Sequence, residues 1–224
     1  MIAIIFGLIM GIVHYLSGHL LSEKAHYYNH IISFSAGISI TYIFLDLFPQ
    51  FSEGAVQISK FLFIFVLFGF ILFHLVERYI YQHAPKNKLI RDLAIEDSVI
   101  SFIYHFIVGI IIVNFVEQGV MKGTLFFIPI LLYTAVSTLP VDKTKFKSIR
   151  FILSISTLLG VLFASFVNIT IMIDNILLGT VIGILLFTVI RHSIPPSEKG
   201  EPLSFIIGVV LYTLMIIFLN WSFV

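Results

Sequence analysis

The sequence predicts an all-α polytopic membrane protein, with eight transmembrane helices in a 3+2+3 inverted-repeat arrangement. Three observations predict it. The 224 residues are 59% hydrophobic and only 11% charged, against roughly 25% charged in a soluble domain, and mean hydropathy is +1.08. The charges are clustered. Eight stretches of 16 residues or more therefore hold no Asp, Glu, Lys or Arg: 1–22, 25–45, 61–76, 98–116, 123–141, 151–173, 175–190 and 202–224. About 20 apolar helical residues cross a bilayer's hydrocarbon core. Finally, glycines and prolines recur at matched places near the two ends of the chain.

Helix 1 covers 1–22. It begins at Met1 without a basic n-region or a small-residue cleavage site, so it reads as a retained helix and not a signal peptide. It carries His14 as a buried candidate. His19, Glu23, His26 and His30 follow at i, i+4, i+7 and i+11. If the helix continues through them they share one stripe, either a metal-collecting surface or a solvated polar face. Helix 2 places Asp46 one turn before Pro49, towards its outer end, where an interfacial carboxylate simply meets water. Helix 3 ends in His74, Glu77 and Arg78, for which an ion pair is the expectation.

Helix 4 spaces Asp97, Ser101 and His105 at i, i+4 and i+8, one face of a helix, with His105 near mid-span and Asn114 and Glu117 towards the end. Helix 5 puts Tyr133 and Ser137 on one face, with Thr134 and Thr138 beside it. Together the two faces form a narrow polar path. Burying an unpaired polar group in lipid costs several kcal/mol, ~2–7 for a hydroxyl or amide. His105 therefore either bridges to a hydroxyl as a packed histidine or handles a substrate or proton. Helices 6, 7 and 8 follow with Gly160, Gly183 and Gly208 in their interiors.

Eight spans put successive loops on alternating sides. Eleven of the 13 Lys and Arg residues fall in the odd-numbered loops, and only Lys60 and Lys122 in the even ones. By the positive-inside rule both termini lie outside the cytoplasm, with the cell (inner) membrane as the expected location. The net charge of +1 and the lack of a basic solvated face speak against a nucleic-acid partner. Zero cysteines exclude disulfides, thiolate metal sites and Cys nucleophiles. The phosphate-loop and HExxH patterns are missing, and no Ser–His or Asp–Asp arrangement suggests a hydrolase. The chain does not read as an enzyme.

Helix 2 contains GISITYIFLDLFP from Gly37 to Pro49, and helix 7 contains GILLFTVIRHSIP from Gly183 to Pro195. In each a Pro follows the Gly by twelve residues, with a polar residue, Asp46 or His192, at the ninth. The helices after them pair Gly69 with Gly208, and those before pair Gly11 with Gly160. Residues 1–80 and 150–224 thus read as two copies of a three-helix unit around a central pair at 93–142, within one transmembrane domain. The copies start five helices apart and enter the membrane in opposite directions, the inverted-repeat plan of secondary transporters.

In these residues the chain resembles the ZIP (Zrt/Irt-like) metal transporter family, as a divergent member. FSAGISITYIFLDLFPQF at 34–51 is similar to that family's second helix, and 183–218 to its last two helices, with His192 where an acid is usual. The family's metal motifs on helices 4 and 5 are degenerate. On helix 4 the match is Tyr104-His105-Phe106-Ile107-Val108-Gly109, which keeps the Gly. On helix 5 it is Phe126-Phe127-Ile128-Pro129-Ile130-Leu131, which keeps the Pro and loses all four ligands. A rival placement at 137–142, around Pro140, saves Asp142.

The resemblance implies a membrane transporter for divalent metal cations (Zn, Fe or Mn as substrate, with no resident cofactor) that works by alternating access. It implies a path whose outer mouth is lined by Asp46, drawing cations as the alternative to simple exposure, and which runs past Ser101, Tyr104, His105, Tyr133, Ser137, Thr138 and His192, with His105 and Asp142 as metal ligands. Lipid and a second copy of the chain, as a homodimer, are the expected partners. The missing ligands leave two alternatives: a transport-inactive relative with a structural or regulatory role, and a carrier of a non-metal solute.

Overall fold

The computed structural model describes residues 1–20, 27–83, 89–136, 147–193 and 200–221, and among them there is no β-strand. In chain order the helices are α1 (Ile2–Leu20), α2 (Tyr28–Ile58), α3 (Lys60–His83), α4 (Leu89–Gln118), α5 (Val120–Val136), α6 (Lys147–Phe166), α7 (Ile171–Thr188, extended by a π turn at Val189–Ser193) and α8 (Pro202–Trp221). Five of them are long and apolar enough to cross a membrane: α2, α3, α7, α8 and the Ser98–Gln118 part of α4. The other three predicted spans hold shorter apolar helices, Ile2–Ser17, Val120–Val136 and Phe151–Phe166. An all-helical chain is what an apolar solvent demands, because every backbone N–H and C=O must be satisfied within the segment.

The described breaks are short. Ser59 is extended (φ −169°) and its Oγ accepts from the Phe61 N–H at 3.3 Å, starting α3. Gly119 alone separates α4 from α5. Thr170 caps α7, its hydroxyl accepting from the Ile173 N–H at 3.4 Å.

Proline shapes two helices from within. Pro49 lies inside α2 and has no N–H to give the Leu45 carbonyl, and its ring crowds that carbonyl. The chain answers with a π turn at Ile43–Leu47, closed by the Phe48 N–H on the Ile43 carbonyl. The π turn of α7 begins at Val189. Measured from the matched glycines Gly37 and Gly183, both π turns start at the sixth residue. Pro129 lies inside α5 and frees the Leu125 carbonyl four residues earlier. The Tyr212 hydroxyl of α8 donates to that carbonyl at 2.6 Å.

Glycines decide which helices lie side by side. A Cβ on Gly37 would meet the Phe205 carbonyl of α8, and one on Gly208 the Phe34 carbonyl of α2. A Cβ on Gly183 would meet the Val66 carbonyl of α3, and one on Gly69 the Thr180 carbonyl of α7. Thus α2 lies along α8, and α3 along α7, by the same reciprocal glycine contact. Gly109 of α4 and Gly160 of α6 face each other in the same way, and Gly11 of α1 meets the Ser154 carbonyl of α6. Small residues are how helices approach closely in lipid, where no hydrophobic force drives them together.

These contacts sort the helices into two groups: α1, α4, α5 and α6, and α2, α3, α7 and α8. Helix α5 joins the first through Phe6–Phe127 stacking (ring centroids 4.3 Å) and Gly123 against Val116. The fully buried core between the groups includes Tyr42, Phe51, Ile111, Phe126 and Ile182. The spans of α3 and α8 are only 17% buried, against 61% for α2 and α7, so α3 and α8 lie outermost. Their exposed Leu67, Phe68, Leu75, Leu214 and Phe218 form the apolar surface of a membrane-embedded protein.

Candidate functional site

The polar groups of the interior gather at mid-height on α4, with α1, α2 and α5 around it. His105 is 3% exposed. Its Nδ1 lies 2.8 Å from the Ser101 carbonyl and 3.2 Å from Ser101 Oγ, and its Nε2 lies 3.1 Å from Thr134 Oγ1 of α5. A carbonyl only accepts, so Nδ1 carries the hydrogen. Thr134 Oγ1 is also 2.7 Å from the Ile130 carbonyl. Its single hydrogen serves either that carbonyl or Nε2, so the hydroxyl and the ring are coupled.

The His14 ring of α1 lies against His105, with centroids 4.5 Å apart and planes tilted by 39°. The spacing predicted the shared face of Ser101 and His105. Nothing local pointed to His14 as the neighbour, because α1 and α4 are brought together by α6.

Aromatic hydroxyls extend the site towards Asp46. The Tyr104 ring lies 4.9 Å from His105 and 6.3 Å from Tyr133. The Tyr42 ring of α2 meets that of Tyr212 of α8 edge to face, with centroids 6.1 Å apart. Asp46 sits in the π turn of α2, hydrogen-bonded to Gln50 and attracted to Lys122 of α5. It is only 8% exposed. The π turn thus turns this carboxylate into the protein, which corrects the alternative of a water-exposed interfacial acid. The hydroxyls of Ser39, Tyr42 and Tyr104 and the Nδ1 of His14 are buried without a hydrogen-bond partner among the described residues.

Of the other predicted residues, His30 lies on α2. It is held by Ser204 Oγ at 3.0 Å and by Glu201 at 3.8 Å, both next to or within the start of α8. Glu23 and His26 lie outside the described residues, as does the side chain of His19, so the stripe is represented by His30 alone. Ser137, Thr138 and Asp142 also lie outside the described residues, as do the side chains of Asp97 and His192. The pair expected on helix 3 forms between helices, Glu77 to Arg191 of α7 at 3.2 Å.

Two contacts besides the His14 stack were not foreseen. Asn114 Nδ2 donates to Asp174 Oδ1 of α7, and Tyr212 serves the carbonyl freed by Pro129. Asp174 had a signal in the sequence, since it interrupts an otherwise charge-free run from 151 to 190.

Among the described residues no group of three or more His, Asp or Glu side chains is placed to hold a metal ion. A tight Zn²⁺ site takes three or four such ligands. Around His105 the described donors are imidazole nitrogens and hydroxyls, which suit weak coordination or hydrogen bonding to a polar solute. No protein-family model and no curated protein matches the chain.

The two tyrosines make opposite predictions. Tyr212→Phe leaves the Leu125 carbonyl unpaired and should cost about 1–3 kcal/mol. Adding Pro129→Ala restores an N–H to that carbonyl and should recover most of the loss. Tyr104→Phe removes a hydroxyl with no described partner and should be neutral or stabilising. Thermal unfolding in detergent measures all three.

Proposed function

We propose that the chain is a ZIP-like integral membrane transporter that carries a divalent cation by alternating access. The observation that carries this reading is the reciprocal pairing of matched glycines, Gly37 with Gly208 and Gly183 with Gly69, together with π turns at the same register in α2 and α7. Those features support two three-helix repeats of opposite direction around the α4–α5 pair, with eight spans in all. The 11-to-2 division of Lys and Arg supports placing both termini outside, in the cell membrane. Transport then consists of the α1–α4–α5–α6 group moving against the α2–α3–α7–α8 group. The cargo passes His105, Ser101 and Thr134, and a second copy of the chain packs on an outer face.

A second reading is favoured by the unpartnered hydroxyls of Ser39, Tyr42 and Tyr104. They fit a neutral, hydrogen-bonding solute better than a bare ion, which needs roughly four to six charged or strongly donating ligands.

The test is metal binding by the purified protein and uptake of Zn²⁺, Mn²⁺, Fe²⁺ and Cd²⁺ into proteoliposomes. Binding at micromolar concentration and uptake that falls in His105→Ala are the expected results. With neither binding nor uptake of any of the four ions, the metal reading fails.

A further inference from the structure

The seam between the two helix groups is built differently from the groups themselves. Every close glycine contact in the described residues falls within one group: α1 or α4 with α6, α5 with α4, α2 with α8 and α7, α3 with α7. None crosses the seam. Most of these contacts press backbone on backbone, and such pairs separate only if whole helices slide; α2 meets α7 through the Asn175 and Phe51 side chains. The seam, which no such contact crosses, is the plane along which the molecule can part.

Side-chain hydrogen bonds cross that plane instead: the Tyr212 hydroxyl of α8 serves the Leu125 carbonyl of α5, and a second bond lies at one end. Asn114, in the last turns of α4, donates to the Asp174 carboxylate in the first turn of α7. This is the end of the short connections, where Ser59, Gly119 and residues 167–170 join the helices. The half of α4 beneath the tie is sealed. Every residue from Ile107 to Val113 is buried, whereas Val99 and Ile103, nearer the other end, are about half exposed (54% and 50%). On the orientation proposed above, the sealed end faces outward.

From this we infer that the Asn114–Asp174 hydrogen bond is the latch of an outer gate: the protein stands closed to the outside, and opening requires α4 and α7 to part at this bond. The inference rests on the alternating-access reading and its orientation, and the labelling test below reads opening without requiring uptake. An amide donating to a carboxylate is a charge-assisted bond between two side chains. It is strong enough to hold a seam, and it can break without disturbing a backbone hydrogen bond.

The chain has no cysteine, so introduced thiols report cleanly. Ile110 lies one turn below Asn114 on the same face of α4 and is 3% exposed. In the Ile110→Cys protein, reconstituted in vesicles, a membrane-impermeant maleimide added from outside should label slowly. Adding Asp174→Ala should speed labelling by about tenfold or more, since losing such a bond shifts the opening equilibrium by at least that factor. Asp174→Asn, whose amide oxygen still accepts, should fall between, and it keeps the test open if the alanine variant does not fold. Equal labelling with and without the Asp174 carboxylate would overturn the latch.

In a separate protein, Asn114→Cys with Asp174→Cys should cross-link on mild oxidation and stop cation uptake until reduced. Uptake that continues through the cross-link would also overturn it. If labelling follows Asp174 while no variant takes up any metal ion, the gate stands and the cargo reading falls.

Discussion

Replacing Gly183 by alanine will destabilise this protein far more than truncating a lipid-facing leucine, and Gly37→Ala will do so to a similar degree. The added Cβ of Gly183 meets the Val66 carbonyl and lies 2.7 Å from the Phe70 N–H nitrogen, while that of Gly37 meets the Phe205 carbonyl and lies 3.1 Å from the Val209 nitrogen. A flexible side chain could move aside at low cost. A backbone carbonyl in a helix cannot, so the whole neighbouring helix must shift. Overpacking of this kind costs about 1–3 kcal/mol, occasionally more. Leu67→Ala, at a position 57% exposed on α3, should stay within about 0.5 kcal/mol. The two glycine variants act on separate helix pairs, so their costs should add. Thermal unfolding of the purified proteins in one detergent checks this. A Gly183→Ala protein as stable as Leu67→Ala would mean that the α3–α7 crossing is not as close as described.

His105→Ala will have the second large effect, and a companion variant separates its causes. The imidazole fills a fully enclosed space against His14 and Tyr104, and through Nε2 it joins α4 to Thr134 of α5. Alanine leaves a cavity and removes the imidazole's bonds to the Ser101 carbonyl, which keeps its helix bond, and to Thr134. Together these should cost about 2–5 kcal/mol. His105→Gln keeps much of the volume and one donor, so it should lose about half of that. If His105 only packs, uptake will follow the folded fraction in both variants. If it meets the cargo, the glutamine variant will be folded yet will carry at least tenfold less. Measuring unfolding and uptake on the same preparations decides between the two roles.

How much of this was legible beforehand can be seen in particular residues. The register Gly37 to Pro49 and Gly183 to Pro195 was visible as spacing. For Pro49 it carried a physical consequence, because a proline inside a helix must be accommodated by the turn before it; the π turn of α2 lies there, and that of α7 starts at the same register from Gly183. Ser101 and His105 were legible for the same reason, since four residues bring two side chains onto one face of a helix. Asp46 was only half legible. Its place one turn before Pro49 was plain, but whether it met water or the interior depended on how the π turn rotated it. The stack of His14 on His105, the service of the Leu125 carbonyl by Tyr212 and the bond from Asn114 to Asp174 were not legible. Their partners stand 91, 87 and 60 residues apart, and no local periodicity links such positions.

Composition and local spacing set the solvent of this protein and the places where its helices bend or touch. A charge-poor chain can satisfy its backbone in lipid only as helices, and glycine and proline act on the turn they occupy. Tertiary structure decided which glycine meets which carbonyl, and with that which buried polar groups become neighbours. Close approach is a property of two surfaces at once. Gly37 reads as a small residue on α2 until the backbone of α8 lies against it, and Asp174 as a stray charge until α4 brings Asn114 within reach.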